Sequence, residues 1–156
     1  MFRYQILIEY VGTSYVGWQI QKKGNSIQKT VQLALSRLLK EKIKIYGSGR
    51  TDAGVHALEQ SAHFDIKNKI QNINRIVKSL NFFLNNKMIS IINIKKKKNN
   101  FHARHSAKER VYLYIIQNRL SLSTVFKERE WHIRKKLDIN LIKKGAKKLI
   151  GTHDFS

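Results

Sequence analysis

The densest concentration of chemically useful side chains is the stretch Gly47-Ser48-Gly49-Arg50-Thr51-Asp52-Ala53-Gly54-Val55-His56. A phosphate-binding loop would need Lys followed by Ser or Thr after its last glycine, where Val55 and His56 stand. A dinucleotide fingerprint would need glycine where Asp52 stands. What remains is a turn permitted by glycine that aims a few side chains into a cleft. Arg50 and Asp52 are two apart, so an extended segment would place them on one face. An arginine beside an aspartate favours an ionised, oriented carboxylate. The chain has only four Asp, and Asp52 alone is framed by glycine and arginine. Such a carboxylate in a basic cleft can act as nucleophile or base at a sugar carbon. The plainer alternative is a solvent-exposed turn closed by an Asx hydrogen bond, and spacing leaves both readings open.

A second cluster follows the basic run Lys95-Lys96-Lys97-Lys98. Phe101-His102-Ala103-Arg104-His105 interleaves aromatic rings with cations, a composition suited to stacking on bases and pairing with phosphates. Its bland counterpart is a loop with a buried Phe anchor and solvated cations. Lys95, Lys96, Lys97, His102 and Arg104 are the candidate RNA contacts. His102 and His105 have no cysteine and only Glu109 near them, so they read as a surface or RNA-contacting pair and no metal site is expected. No serine sits in a nucleophile-elbow pattern. Tyr112 and Tyr114 read as core or sheet-face residues, and Trp18 and Trp131 as packing residues.

Composition bounds the partners. The 156 residues carry 31 Lys and Arg against 10 Asp and Glu, a net charge of +21. Such a surface favours a polyanion, because each neutralised phosphate releases counterions. Lys, Ile and Asn dominate, the signature of A/T-rich codons, so codon composition accounts for part of the excess. The 13 cations up to Lys78 face five acids, whereas the 18 beyond it face five, so the second half is the more basic. With 42% hydrophobic residues the chain has material for one real core, or one domain and a fragment. The absence of cysteine excludes disulfide scaffolds, thiolate metal sites and Cys nucleophiles, and agrees with a cytoplasmic location. No apolar run approaches the ~20 residues of a membrane span, and the N-terminus does not read as a signal peptide.

The elements that must position these residues follow from periodicity. Tyr4, Ile6, Ile8 and Tyr10 alternate as a strand. A Gly- and aromatic-rich loop leads to a helix that opens at Asn25 or Ser26, with Asn25 and Gln28 spaced as a capping box. Ile27, Val31, Ala34, Leu35, Leu38 and Leu39 share one face of it. Short strands are expected at Ile43–Ile45, around Ala62, Phe64 and Ile66, and from Met88 to Ile94. A second helix carries Ile73, Ile76, Val77, Leu80 and Leu84. The order strand, helix, strand, strand, helix, strand is the split βαβ, ferredoxin-like α+β pattern, an antiparallel sheet with both helices on one face. The reading places one domain at residues 1–97 and the start of a second at 98–156. The second has a strand from Val111 to Gln117 and a helix capped by Asp138 with an apolar stripe of Leu141, Ile142, Leu149 and Ile150.

These residues together resemble the tRNA pseudouridine synthase A (TruA) family along essentially the whole chain. The resemblance rests on Ile8 to Gln19, Ser26-Ile27-Gln28, Gly49 to His56, Phe101 to Arg104, Tyr112-Leu113-Tyr114 and Gly151-Thr152-His153-Asp154-Phe155. It implies the pseudouridine synthase fold and isomerisation of uridine to pseudouridine in the anticodon stem-loop of tRNA, at tRNA positions 38–40, without cofactor or metal. By resemblance Asp52 is the catalytic aspartate, Arg50 pairs with it and holds the nucleotide flipped out, Tyr112 contacts the target base, and Arg104 lines the RNA cleft. The resemblance also implies a homodimer. Family members continue past the Gly151–Phe155 block, so the reading expects a truncated second domain and little or no activity from the chain alone. Val111 departs from a second basic residue common there. The alternative is a non-catalytic, basic RNA-binding module, although an aromatic RNP signature is missing from the strands.

Overall fold

Strong alternation in the first ten residues and two capped amphipathic segments produce the architecture of the first unit. In the computed structural model, which describes residues 1–154, that unit spans Met1–Arg110 and a second begins at Val111. The first unit runs β1 (Phe2–Tyr10), α1 (Ile27–Leu39), β2 (Ile45–Gly47), β3 (Ala57–Ile66), α2 (Ile73–Leu84) and β4 (Ile89–Lys97). Its sheet has the order β2-β3-β1-β4 with every neighbour antiparallel, the ferredoxin-like arrangement that the element order implies.

One face of the sheet is the core. Tyr4, Ile6, Ile8 and Tyr10 of β1 and Ala62, Phe64 and Ile66 of β3 are buried against Ile27, Val31 and Leu35 of α1 and Leu80 and Leu84 of α2. In β4, Ile91 and Ile94 are three apart, and strict alternation would send them to opposite faces. A register shift opposite Leu7 and Ile8 corrects this, and both side chains reach the core. Ser26, not Asn25, caps α1, its hydroxyl accepting from the Lys29 N–H at 3.2 Å. The capping-box expectation fails because Gln28 is used elsewhere. Its side chain accepts from the Ile20 N–H and donates to the Ile45 carbonyl, tying the approach loop and β2 to the helix. Asn72 caps α2 by accepting from Arg75 N–H.

Residues 98–110, which the sequence reading groups with the second segment, pack on the first unit. Arg3 donates to the carbonyls of Asn99 and Phe101, both at 2.8 Å. Ala103 is buried, and its N–H donates to His63 Nδ1 at 3.2 Å. This strap crosses the sheet face turned away from the helices.

The second unit holds β5 (Ile116–Asn118) and β6 (Trp131–Ile133), paired in parallel, and α3 (Ile139–Lys147) capped by Asp138. Here the structure departs from expectation. The strand expected from Val111 is confined to its last residues, and Tyr112 and Tyr114 stand 67% and 84% exposed, outside any strand. Trp131 is exposed, as are Leu141, Ile142, Leu149 and Ile150, the last two lying beyond the helix. Two short strands and one helix offer no second apolar layer among the described residues, so these side chains have nothing to pack into. Phe155 of the Gly151–Phe155 block lies outside the described residues. No helix among the described residues is long and apolar enough to cross a membrane.

Candidate active site

The loop between β2 and β3 is held by its neighbours on both sides of Asp52. Tyr10, at the end of β1 and 2% exposed, shares a hydrogen bond of 2.8 Å between its hydroxyl and that of Thr51. Burial pushes the Tyr10 phenol above its ordinary pKa, the bond to Thr51 opposing the shift. The Trp18 N–H donates to the Thr51 carbonyl at 3.0 Å. Gly17 stands beside the same carbonyl with φ of 101°, and a Cβ there would lie 2.5 Å from that oxygen, so only glycine fits.

Beyond Asp52 the chain turns at once. The Val55 N–H donates to the Asp52 carbonyl at 3.2 Å, closing a β-turn whose third residue, Gly54, has the positive φ of 80° that favours glycine. His56 Nδ1 then accepts from the Gly12 N–H at 3.0 Å, which requires that nitrogen to be unprotonated. At the start of the loop, Gln60 donates to the Gly49 carbonyl at 2.8 Å, and the Ser48 N–H to Ser61 at 2.8 Å. Arg110, at the end of the strap, donates to the Ser48 carbonyl at 3.0 Å. The outcome is a backbone tied to β1, β3, the strap and the β1–α1 loop, presenting the Asp52 carboxylate to solvent.

Arg50 is also exposed, and it makes no ion pair with Asp52 among the described residues. The same-face argument assumed an extended segment, and residues 48–56 form no strand. Tyr112 belongs to the second unit. Of the lysine run, Lys95 and Lys97 pair with Gln5 and Arg3 on the sheet face turned from the helices, whereas Lys96 pairs with core-facing Tyr4. Lys96 Nζ lies over the Phe2 ring at 5.2 Å and Lys97 Nζ over Phe101 at 5.1 Å.

His102 joins a contiguous group of rings. Its centroid is 4.6 Å from that of His63 and 4.4 Å from that of His105. His63, 2% exposed, is held at a pKa of about 4, first by burial and then by the charge of Arg3. Asp65 is held low by the Arg3 guanidinium, which donates to both carboxylate oxygens at 2.8 and 2.7 Å. Desolvation lowers His102 as well, with the charge of His105 next. Sequence reasoning missed the bracing work of Tyr10, Thr51, His56, His63 and Arg110. Partners such as Tyr10 and Thr51, 41 residues apart, leave no periodic signal.

Comparison with known proteins places the chain among its relatives. A family model described as tRNA pseudouridine synthase matches residues 6–106. A tRNA pseudouridine synthase A of Pelagibacter ubique (strain HTCC1062) is 66% identical over 156 residues, covering 100% of this chain and 63% of that protein. Proteins of the same description from Neorickettsia sennetsu and Anaplasma phagocytophilum are 44% and 38% identical, over 98% and 99% of this chain and again 63% of their own lengths. The chain therefore spans under two thirds of the length of these relatives.

Proposed function

The chain belongs to the tRNA pseudouridine synthase family, and on that premise we propose that it carries the catalytic aspartate of a uridine-to-pseudouridine isomerase. The proposed substrate is the anticodon stem-loop of tRNA at positions 38–40. The observation that carries this reading is the exposed Asp52 carboxylate on a backbone bound on both sides. Isomerisation breaks the bond between N1 of uracil and C1′ of ribose, turns the base and joins C5 to C1′. The C5 proton is lost and N1 gains one, so nothing is oxidised or reduced. A nucleotide can reach a side chain on such a loop only when swung out of its stack. Asp52 then acts on it as nucleophile or base, and the braced loop holds the carboxylate in place through the rearrangement.

Arg50 is assigned to the flipped nucleotide, Tyr112 to the target base, and Lys95, Lys97, His102 and Arg104 to the RNA backbone and loop. Lys96 contributes to the general field. Homodimerisation and a cytoplasmic location belong to the same proposal, the first checked by light scattering on the purified chain.

The test is pseudouridine mapping on unmodified tRNA, at stoichiometric protein, alongside tRNA binding. The expected result is at most a trace of anticodon-arm product from the native chain, in keeping with the little or no activity expected of it alone, and none from Asp52→Asn, with tRNA affinity retained by both. Product from Asp52→Asn, or product outside the anticodon arm, overturns the assignment. Binding with no product from either chain agrees with the little or no activity expected of the chain alone, and robust turnover by the native chain overturns that expectation.

A further inference from the structure

Tyr46 and His63 face each other across β2 and β3, so their rings leave the same face of the sheet, opposite the helices. The rings stack, with centroids 5.1 Å apart and planes 21° apart. The stack is one-sided. His63 is closed off by the strap at 2% exposure, whereas Tyr46, on the edge strand, keeps 46% of its surface in water. His102 leans on the same group, 6.4 Å from Tyr46, and His105 extends it outward. A rigid, solvent-facing aromatic ring backed by a buried one is the form of a base-stacking platform.

Charge selects the ligand. Residues 95–110 contain seven Lys or Arg and one acid. The acid nearest the stack in the sheet, Asp65, is already occupied by Arg3. The Arg110 guanidinium donates to the carbonyl of Ser48, two residues beyond Tyr46, and to that of Arg104 at 3.4 Å, so two arginines sit at this rim. Asp52 is six residues from Tyr46, within a chain reach of about 20 Å. We propose that Tyr46 is a stacking step for an unpaired base of the bound RNA, with Arg104 and Arg110 at the adjoining phosphates. This rests on the RNA-substrate reading above and adds a contact for a nucleotide other than the one undergoing chemistry. The selectivity expected is for unpaired over paired bases and not for a particular base, since every base offers a stacking face.

The experiment uses the full chain, an anticodon-arm RNA hairpin carrying 2-aminopurine at successive unpaired positions, and a continuous RNA duplex. The native chain is expected to quench the fluorophore at one unpaired position or more. Tyr46→Phe keeps the quenching and binds within about twofold of native, because the ring is retained. Tyr46→Leu loses it and binds the hairpin about tenfold or more weakly, with duplex binding and salt dependence unchanged, since no phosphate contact is removed. Equal hairpin binding by the leucine and phenylalanine variants overturns the proposal, as does an equal loss on duplex. Hairpin binding by the native chain with no quenching at any position also overturns it, a result that needs no variant to fold. Failure of the native chain to bind either RNA overturns the RNA-substrate reading itself, and this contact with it.

Discussion

At the scale of single residues, a hydroxyl buried in the core of the first unit is spent on the loop that presents the carboxylate. Tyr10 packs its ring with Trp18, centroids 6.2 Å apart, and gives its hydroxyl to Thr51. Tyr10→Phe keeps the ring and removes that bond, leaving the Thr51 hydroxyl short of a partner. We expect a loss of about 1 kcal/mol in urea denaturation. Thr51→Ser, which keeps the hydroxyl, should lose clearly less. His63 predicts a pH dependence. The folded state holds it neutral, with a pKa of about 4 against 6.5 ordinarily, because burial disfavours the charged ring and the charges of Arg3 and His102 oppose it further; its Nδ1 accepts the Ala103 N–H. An unfolded chain takes up this proton as pH falls through 6.5 and the folded one does not. The contribution is therefore complete above 6.5 and lost as pH falls to about 4, by up to ~3 kcal/mol. Chemical denaturation across that window measures it, and His63→Gln should flatten the slope. Asp65, whose pKa Arg3 lowers, adds its own loss only at lower pH.

At the scale of elements, α1 and the strap have unequal tasks. The helix brings Gln28 to β2 and closes the core, and its start depends on one hydroxyl at Ser26, 1% exposed. Ser26→Ala should cost ~1 kcal/mol by thermal or urea unfolding, while Asn25→Ala, at a position that does not cap, should be nearly neutral. Residues 98–110 form neither helix nor strand, yet their backbone is fastened by Arg3, His63 and Arg110 across the open face of the sheet. That fastening converts a run of cations and rings into an ordered surface beside the loop that carries Asp52.

For the whole molecule, the charge of +21 makes any RNA binding steeply salt-dependent. The sheet register divides the lysine run. Lys95 and Lys97 lie on the strap side and Lys96 on the helix side. In RNA titrations at several salt concentrations, Lys95→Ala and Lys97→Ala should each lower the slope of log affinity against log salt by about one, as expected for one lost phosphate contact. Lys96→Ala should change it less.

The ferredoxin-like order, both helices, the core positions of β1 and the glycine-permitted turn within Gly47–His56 are readable from the amino-acid sequence, because each arises from local periodicity, capping chemistry or a compact motif. Asp52 is singled out the same way, by its glycines and its scarcity. Other features depend on residues that meet only after folding. The bulge bringing Ile91 and Ile94 to one face, the strap's place on the first unit, and the bonds Tyr10–Thr51, Gly12–His56 and His63–Ala103 join positions about 40 or more residues apart or override strict alternation. Tyr112 and Tyr114 show the converse. Their alternation is that of a strand, but a strand needs a partner along its length, and the ladder here begins only at Ile116. Residue types and local spacing single out the loop and the carboxylate, and leave open whether they do chemistry. The side chains that brace and surround it are settled by tertiary packing, because hydrogen bonds and stacked rings act through space and leave no period in the sequence.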